Sequence, residues 1–259
     1  MNPLSENLPL QEAWSENTVT SMGFRAGRVL VYIPTLNDCN LLHELATGVR
    51  ALDDNVTVLI IDDGSRPSIE RSTLPDGCLL FSLPSNAGLG VCTHIALDHA
   101  LAHGYEFIVR LDADGQHPVP IVLDLLKPLR DGSADITVGI RTNHGNHSER
   151  DAVLRRLVKW YFTFLANLIT AGAAPSDVSS GFFAANRRAM QELNNIMLER
   201  YPEPQLYSHA CRSGLRVQGT DVEQAKRQHG RSNITYVDAL SMIYRFTVYV
   251  IAEILNVRR

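Results

Sequence analysis

Short, nearly continuous apolar runs recur through the first half of the chain: residues 28–33 (RVLVYI), 56–61 (VTVLII), 79–83 (LLFSL), 107–111 (FIVRL) and 136–140 (ITVGI). Runs of this length, rich in Val, Ile and Leu, suit strands buried on both faces of a mostly parallel sheet. Between them, residues 40–52, 88–103 and 119–129 have helical length and character. The alternation predicts an α/β fold with a central sheet sandwiched between helices. After residue 140 the order loosens. A polar loop over 141–150 (RTNHGNHSER) precedes a long helix over about 151–171, a short strand at 181–185, a helix near 188–198 and a terminal helix over 236–257. Residues 1–26 are polar and aperiodic and read as an extension; 27–234 reads as one domain and 235–259 as a C-terminal amphipathic helix. No internal repeat or low-complexity linker interrupts the series.

Composition narrows the function classes. Across 259 residues, 24 basic and 28 acidic side chains give a net charge of −4, so no broad basic surface advertises nucleic-acid binding. Cys39, Cys78, Cys92 and Cys211 are scattered without metal-like spacing and read as reduced thiols. The N-terminus lacks the basic-then-apolar pattern of a secretory signal, and no stretch of about 20 uncharged apolar residues exists to span a bilayer. The expected location is cytoplasmic.

In open parallel sheets, ligands sit beyond the carboxyl ends of the strands. Three polar clusters follow strands directly and should converge there: Pro34-Thr35-Leu36-Asn37-Asp38, Asp62-Asp63-Gly64-Ser65 and Asp112-Ala113-Asp114-Gly115-Gln116-His117. Two aspartates flanking one residue at a strand end can hold a divalent cation and leave positions for phosphate and water. An acidic pair at the end of a buried strand is costly unless something cationic compensates it. Asp62 and Asp63 can accept hydrogen bonds from a nucleobase or ribose, or simply form an Asp-Gly turn. Asn86-Ala87-Gly88-Leu89-Gly90 opens a helix, either as a compact start or as a place where backbone approaches an anion.

In order, P-T-L-N-D, I-D-D-G-S, N-A-G-L-G, L-D-A-D-G-Q-H-P, S-S-G-F-F-A-A-N-R-R-A and R-Q-H-G-R-S-N-I resemble family-two glycosyltransferases of the GT-A fold. The likeness is greatest to the polyprenyl-phosphate sugar transferases and covers roughly residues 29–234. It implies an inverting transfer from a nucleotide-diphosphate sugar to a lipid phosphate or a glycan. Pro34, Asn37 and Asp63 would line the nucleoside pocket; Thr35, Asp38, Asp62, Ser65, Asn86, Gly88, Asp112, Ala113 and Ser232 would complete the donor site. Asp112 and Asp114, with Gln116 nearby, would hold Mg²⁺ or Mn²⁺. Arg141 and Arg227 would face phosphate, where fixed guanidinium groups stabilise a departing diphosphate, although either could be a surface ion pair. Asp177 and Glu203 are the candidate bases if the acceptor is a hydroxyl; a lipid phosphate needs none. Phe183 stands where relatives often carry arginine, and Asp38 replaces the commoner glutamate. Rival readings are a nucleotidyltransferase, a hydroxyl-directed transferase acting on a small natural product, and a non-catalytic sugar-nucleotide-binding subunit.

Helical spacing along 238–257 puts Asp238, Ser241, Arg245, Glu253 and Asn256 on one narrow stripe and leaves a wide apolar arc. That arc suits packing on the body, a homodimer or a membrane surface. His144 and His147 lie in the polar loop, which reads as a lid over the donor rather than a metal site.

Overall fold

The computed structural model describes residues 27–141, 149–222 and 236–255. Seven strands form one sheet in the order β3-β2-β1-β4-β6-β5-β7. They are β1 (Val29–Thr35), β2 (Val56–Asp62), β3 (Leu79–Ser82), β4 (Phe107–Arg110), β5 (Ile136–Arg141), β6 (Phe183–Asn186) and β7 (Val217–Val222). Every neighbouring pair is parallel except those made by β6, which runs antiparallel to both β4 and β5. β4 and β5 therefore run the same way, and the carboxyl ends of β1, β2, β4 and β5 share one edge.

Alternate residues of each strand feed two cores. Val29, Val31 and Ile33 of β1 meet α1 (Leu42–Arg50) and α3 (Ile121–Arg130) on one face. Leu30 and Tyr32 meet α2 (Leu89–Ala102) on the other, where α4 (Glu149–Thr170), α5 (Arg187–Leu193), α6 (Glu203–Arg212) and α7 (Tyr236–Ile254) complete the layer. Burial on both faces is why these strands lack polar alternation. Helix α1 lies on one face and α2 on the other, while β2 and β4 flank β1 on opposite sides. The crevice thus opens beyond the carboxyl ends of β1 and β4.

The expected elements are present, with differences in the second half. The helix read over 188–198 ends at Leu193, and an irregular segment leads into α6, whose start carries Pro202 and Pro204. Those prolines resemble loop punctuation in sequence but suit the first helical turn, where no N–H is required. Strand β7 is a largely exposed edge and lacks an apolar run. The wide apolar arc of α7 divides. Phe246 and Val250 are buried against the body, whereas Leu240, Ile251, Ile254 and Leu255 stay exposed. No helix among the described residues is long and apolar enough to cross a membrane.

The glycines that open α2 are packed closely against the protein's own chain. A Cβ on Gly90 would sit 2.1 Å from the Glu199 carbonyl oxygen and 2.7 Å from that of Leu198; one on Gly88 would sit 2.6 Å from Arg200 Cγ. Gly90→Ala should therefore destabilise by about 2–3 kcal/mol, because backbone rather than a mobile side chain must yield. Gly48→Ala, inside α1 with its nearest neighbour at 3.4 Å, should be neutral or stabilising by up to about 1 kcal/mol. Urea denaturation of both variants distinguishes the two cases, and equal midpoints would contradict the packing account.

Candidate active site

The first two loops are stitched together. The Asn37 N–H donates to Ser65 Oγ at 2.9 Å, and the Arg66 N–H donates to Asn37 Oδ1 at 2.8 Å. Asn37 holds this bridge in the left-handed region, φ 57°, a conformation asparagine tolerates better than most residues. Thr35 Oγ1 donates to the Asp38 carbonyl at 2.9 Å, closing the turn after β1. Asp62, 1% exposed, accepts from the Ser65 N–H at 2.8 Å and the Ile69 N–H at 3.1 Å. Its carboxylate shapes the loop from inside. Asp63 accepts from the Ala87 N–H at 2.7 Å and the Gly88 N–H at 3.0 Å, which ties β2 to the start of α2. Burial pushes the Asp63 carboxyl up, against the two N–H groups that favour its charge. Pro34 is buried at the end of β1, and Asn86 is exposed with its side chain accepting from Arg200.

At the end of β4 the chain places Arg110, Asp112, Ala113 and Asp114 in succession. Arg110 is 3% exposed. Its Nε and Nη2 donate to Asp112 Oδ1 at 3.2 and 3.1 Å, and its Nη1 donates to Glu203 Oε1 at 2.7 Å. Burial opposes the charge of Asp112, but Arg110 and His117 outweigh it and hold the carboxyl below its usual range. Asp114 accepts from the Gln116 N–H at 3.0 Å, and both aspartates act on the His117 ring, which stacks on Phe182 at 4.3 Å. Burial lowers the His117 pKa despite these carboxylates.

Two half-exposed aspartates at the crevice mouth fit a hard divalent cation that phosphate oxygens and water would complete. The backbone gives way there, since a Cβ on Gly181 would lie 3.2 Å from Asp112 Oδ2. Among the described residues no group of three or more His, Cys, Asp or Glu comes together as a metal cage.

Beyond β5 lies a second charged group. Asp177 is fully buried; Arg141 Nε donates to its Oδ2 at 2.9 Å, Lys159 Nζ lies 3.1 Å from the same atom, and Ser179 Oγ donates to Oδ1 at 2.8 Å. Burial raises the carboxyl pKa, but these partners overcome it and bring it down to about 2. Arg141 and Lys159 are each about a third exposed, at 38% and 36% of the side chain. Phe183 is fully buried in β6 against Tyr207, so its position belongs to the core and not to the crevice.

Arg227, Ser232, His144 and His147 lie outside the described residues. Sequence reasoning missed Arg110 and Lys159. The first left a signal: a lone charge in an otherwise apolar strand requires a buried partner. The second left none, because Lys159 meets Asp177 only through the packing of α4.

Comparison with known proteins completes the picture. Polyprenol monophosphomannose synthase of Mycolicibacterium smegmatis is 30% identical over 177 residues, 64% of this chain and 64% of that protein. The chain therefore spans just under two thirds of that relative. Undecaprenyl-phosphate mannosyltransferase of Micrococcus luteus is 23% identical over 216 residues, covering 80% of this chain and 88% of its own. The fold matches glucosyl-3-phosphoglycerate synthase from Mycobacterium tuberculosis, solved with Mn²⁺, UDP and phosphoglyceric acid, with a TM-score of 0.60 at 18% identity over 88% of this chain and 78% of that one. The pattern of glycosyl transferase family 2 matches residues 30–193, more than half of the sequence, and the chain belongs to that family.

Proposed function

We propose that this glycosyltransferase moves a sugar from a nucleotide-diphosphate donor with inversion, using Mg²⁺ or Mn²⁺ held by Asp112 and Asp114 with Gln116 nearby. One observation carries the reading: both aspartates stand at the carboxyl end of β4, in the same crevice mouth as the stitched loops after β1 and β2. A bound divalent cation supplies charge neutralisation for the leaving diphosphate. The chain's own contribution is placement. Pro34, Thr35, Asn37, Asp38, Asp63, Ser65, Asn86 and Gly88 frame the nucleoside, with Asp62 holding that frame from behind. Ala113 spaces the two aspartates, and the family resemblance would assign Arg227 and Ser232, which lie outside the described residues, to the phosphates.

The acceptor reading follows from Arg141 and Lys159. Two partly exposed cations share one buried carboxylate, which leaves an excess positive charge suited to an anionic group. Asp177, held ionised by both, orients these cations and is a poor proton acceptor. Glu203, bonded to Arg110, is poorly placed to take a proton as well. We read the acceptor as a small molecule or glycan bearing phosphate or carboxylate, supported by the phosphoglyceric acid in the mycobacterial structure. A second reading, a polyprenyl phosphate, is favoured by the names of both curated relatives and by Leu157, Trp160, Phe164 and Leu168, which stand exposed in a stripe along α4. Such a stripe, beside the exposed side chains of α7, suits a membrane surface or a second copy of the chain.

Replacement of either Asp112 or Asp114 by Asn should lower donor turnover roughly 100-fold or more, measured as nucleotide release with Mn²⁺. Parent-like release would remove the metal reading. With a radiolabelled sugar donor, label should enter aqueous product with 3-phosphoglycerate or a glycan; label extracted into butanol with undecaprenyl phosphate would establish the second reading instead.

The depressed pKa of Asp177 gives a pH test. A carboxyl at about 2 in the folded state, against roughly 3.9 unfolded, stabilises fully above pH ~4, and that contribution is lost as pH falls through about 2. Asp177 therefore stays ionised over any ordinary assay range. Asp177→Asn should lower kcat/KM by roughly tenfold while leaving the acidic limb of the pH–rate profile in place; disappearance of that limb would restore Asp177 as the base.

A further inference from the structure

Arg110 is buried, and each arm of its guanidinium is committed. Nη1 reaches Glu203 at the first turn of α6, while Nε and Nη2 converge on a single oxygen of Asp112. Two donors on Oδ1 orient the carboxylate and leave Oδ2 as the oxygen beside Gly181. A Cβ there would lie 2.7 Å from Arg110 Nη2 and 3.2 Å from Asp112 Oδ2, so any larger residue must displace the guanidinium from this pair. A rigid planar fork can bridge two carboxylates in this way; a lysine ammonium on a flexible stem cannot hold both in register.

We propose that Arg110 is the positioning residue of the cation site: it fixes the Asp112 carboxylate so that Oδ2 is presented to the cation, and braces it against α6 through Glu203. The proposal rests on the reading of Asp112 and Asp114 as metal ligands. It assigns to a residue that touches neither donor nor acceptor the task of setting how strongly metal and nucleotide cooperate. Immobilising a ligand before metal arrives removes an ordering cost from binding, and the groups that hold ligands govern metal affinity strongly.

The test separates cooperation from folding. Affinity for UDP, GDP and dTDP is measured by calorimetry with about 1 mM Mn²⁺ and again in EDTA, and the ratio of the two dissociation constants is taken for the nucleotide that binds. Arg110→Lys should leave the EDTA value within about twofold, because the β1 and β2 loops are untouched, and cut the Mn²⁺ enhancement by about tenfold. Gly181→Ala keeps every charge but displaces the guanidinium tip, and should give the same selective loss; it decides the matter if Arg110→Lys does not fold. A folded variant that keeps the parent ratio overturns the brace, as does one that weakens both values equally. A parent protein showing no Mn²⁺ enhancement would instead sink the two-aspartate reading, and the brace with it.

Discussion

A sheet covered on both faces leaves its polar residues one place to go, the strand ends. In this chain β1, β2, β4 and β5 point those ends to one edge, so the described polar residues that directly follow β1, β2 and β4 are delivered to it together. Catalytic geometry is therefore a by-product of core packing. The apolar runs that bury the strands also decide which loop residues meet.

Concentrating charge at a buried edge has an electrostatic consequence. Asp112 and Glu203 share Arg110, while Asp177 is shared by Arg141 and Lys159. An isolated charge in such surroundings would cost several kcal/mol, and the pairings offset that cost. The two clusters differ in sign. Around Arg110 the carboxylates outnumber the cation, which suits a metal; around Asp177 the cations outnumber the carboxylate, which suits an anion. The crevice is thus polarised from the β4 end towards the β5 end.

The first five strands and first three helices were legible because their patterns are local: Val56 to Ile61 reads as a buried strand wherever it stands. The aspartate pair was legible for the same reason, being set by a strand end and a spacing of two. What escaped depends on contacts distant in sequence. The sequence leaves Gly90 open between a compact helix start and a ligand approach, and only the fold shows Glu199 filling the space its side chain would need. Asp177 reads in sequence as a candidate base for a hydroxyl acceptor, and nothing local announces the two cations on its oxygens, one of them 18 residues earlier on α4. Helix α6 escaped because Pro202 and Pro204 carry the same local message as a loop.

The segment between α5 and α6 shows why the terminal helix is more than an appendage. Arg200 there donates through its side chain to Asn86, and its carbonyl accepts from the Leu89 N–H at 3.0 Å, at the donor side of the crevice. Three residues on, Glu203 meets Arg110. On the far side, Glu199 accepts from Arg245 of α7 at 2.6 Å, and Arg212 of α6 pairs with Glu253 of α7 at 2.8 Å. One short stretch thus touches the donor loop, the brace on Asp112 and the last helix. Phe246 and Val250 anchor the inner face of α7 in the same core as α6. The last helix is therefore packed onto α6, the same element that supplies the Glu203 partner of Arg110.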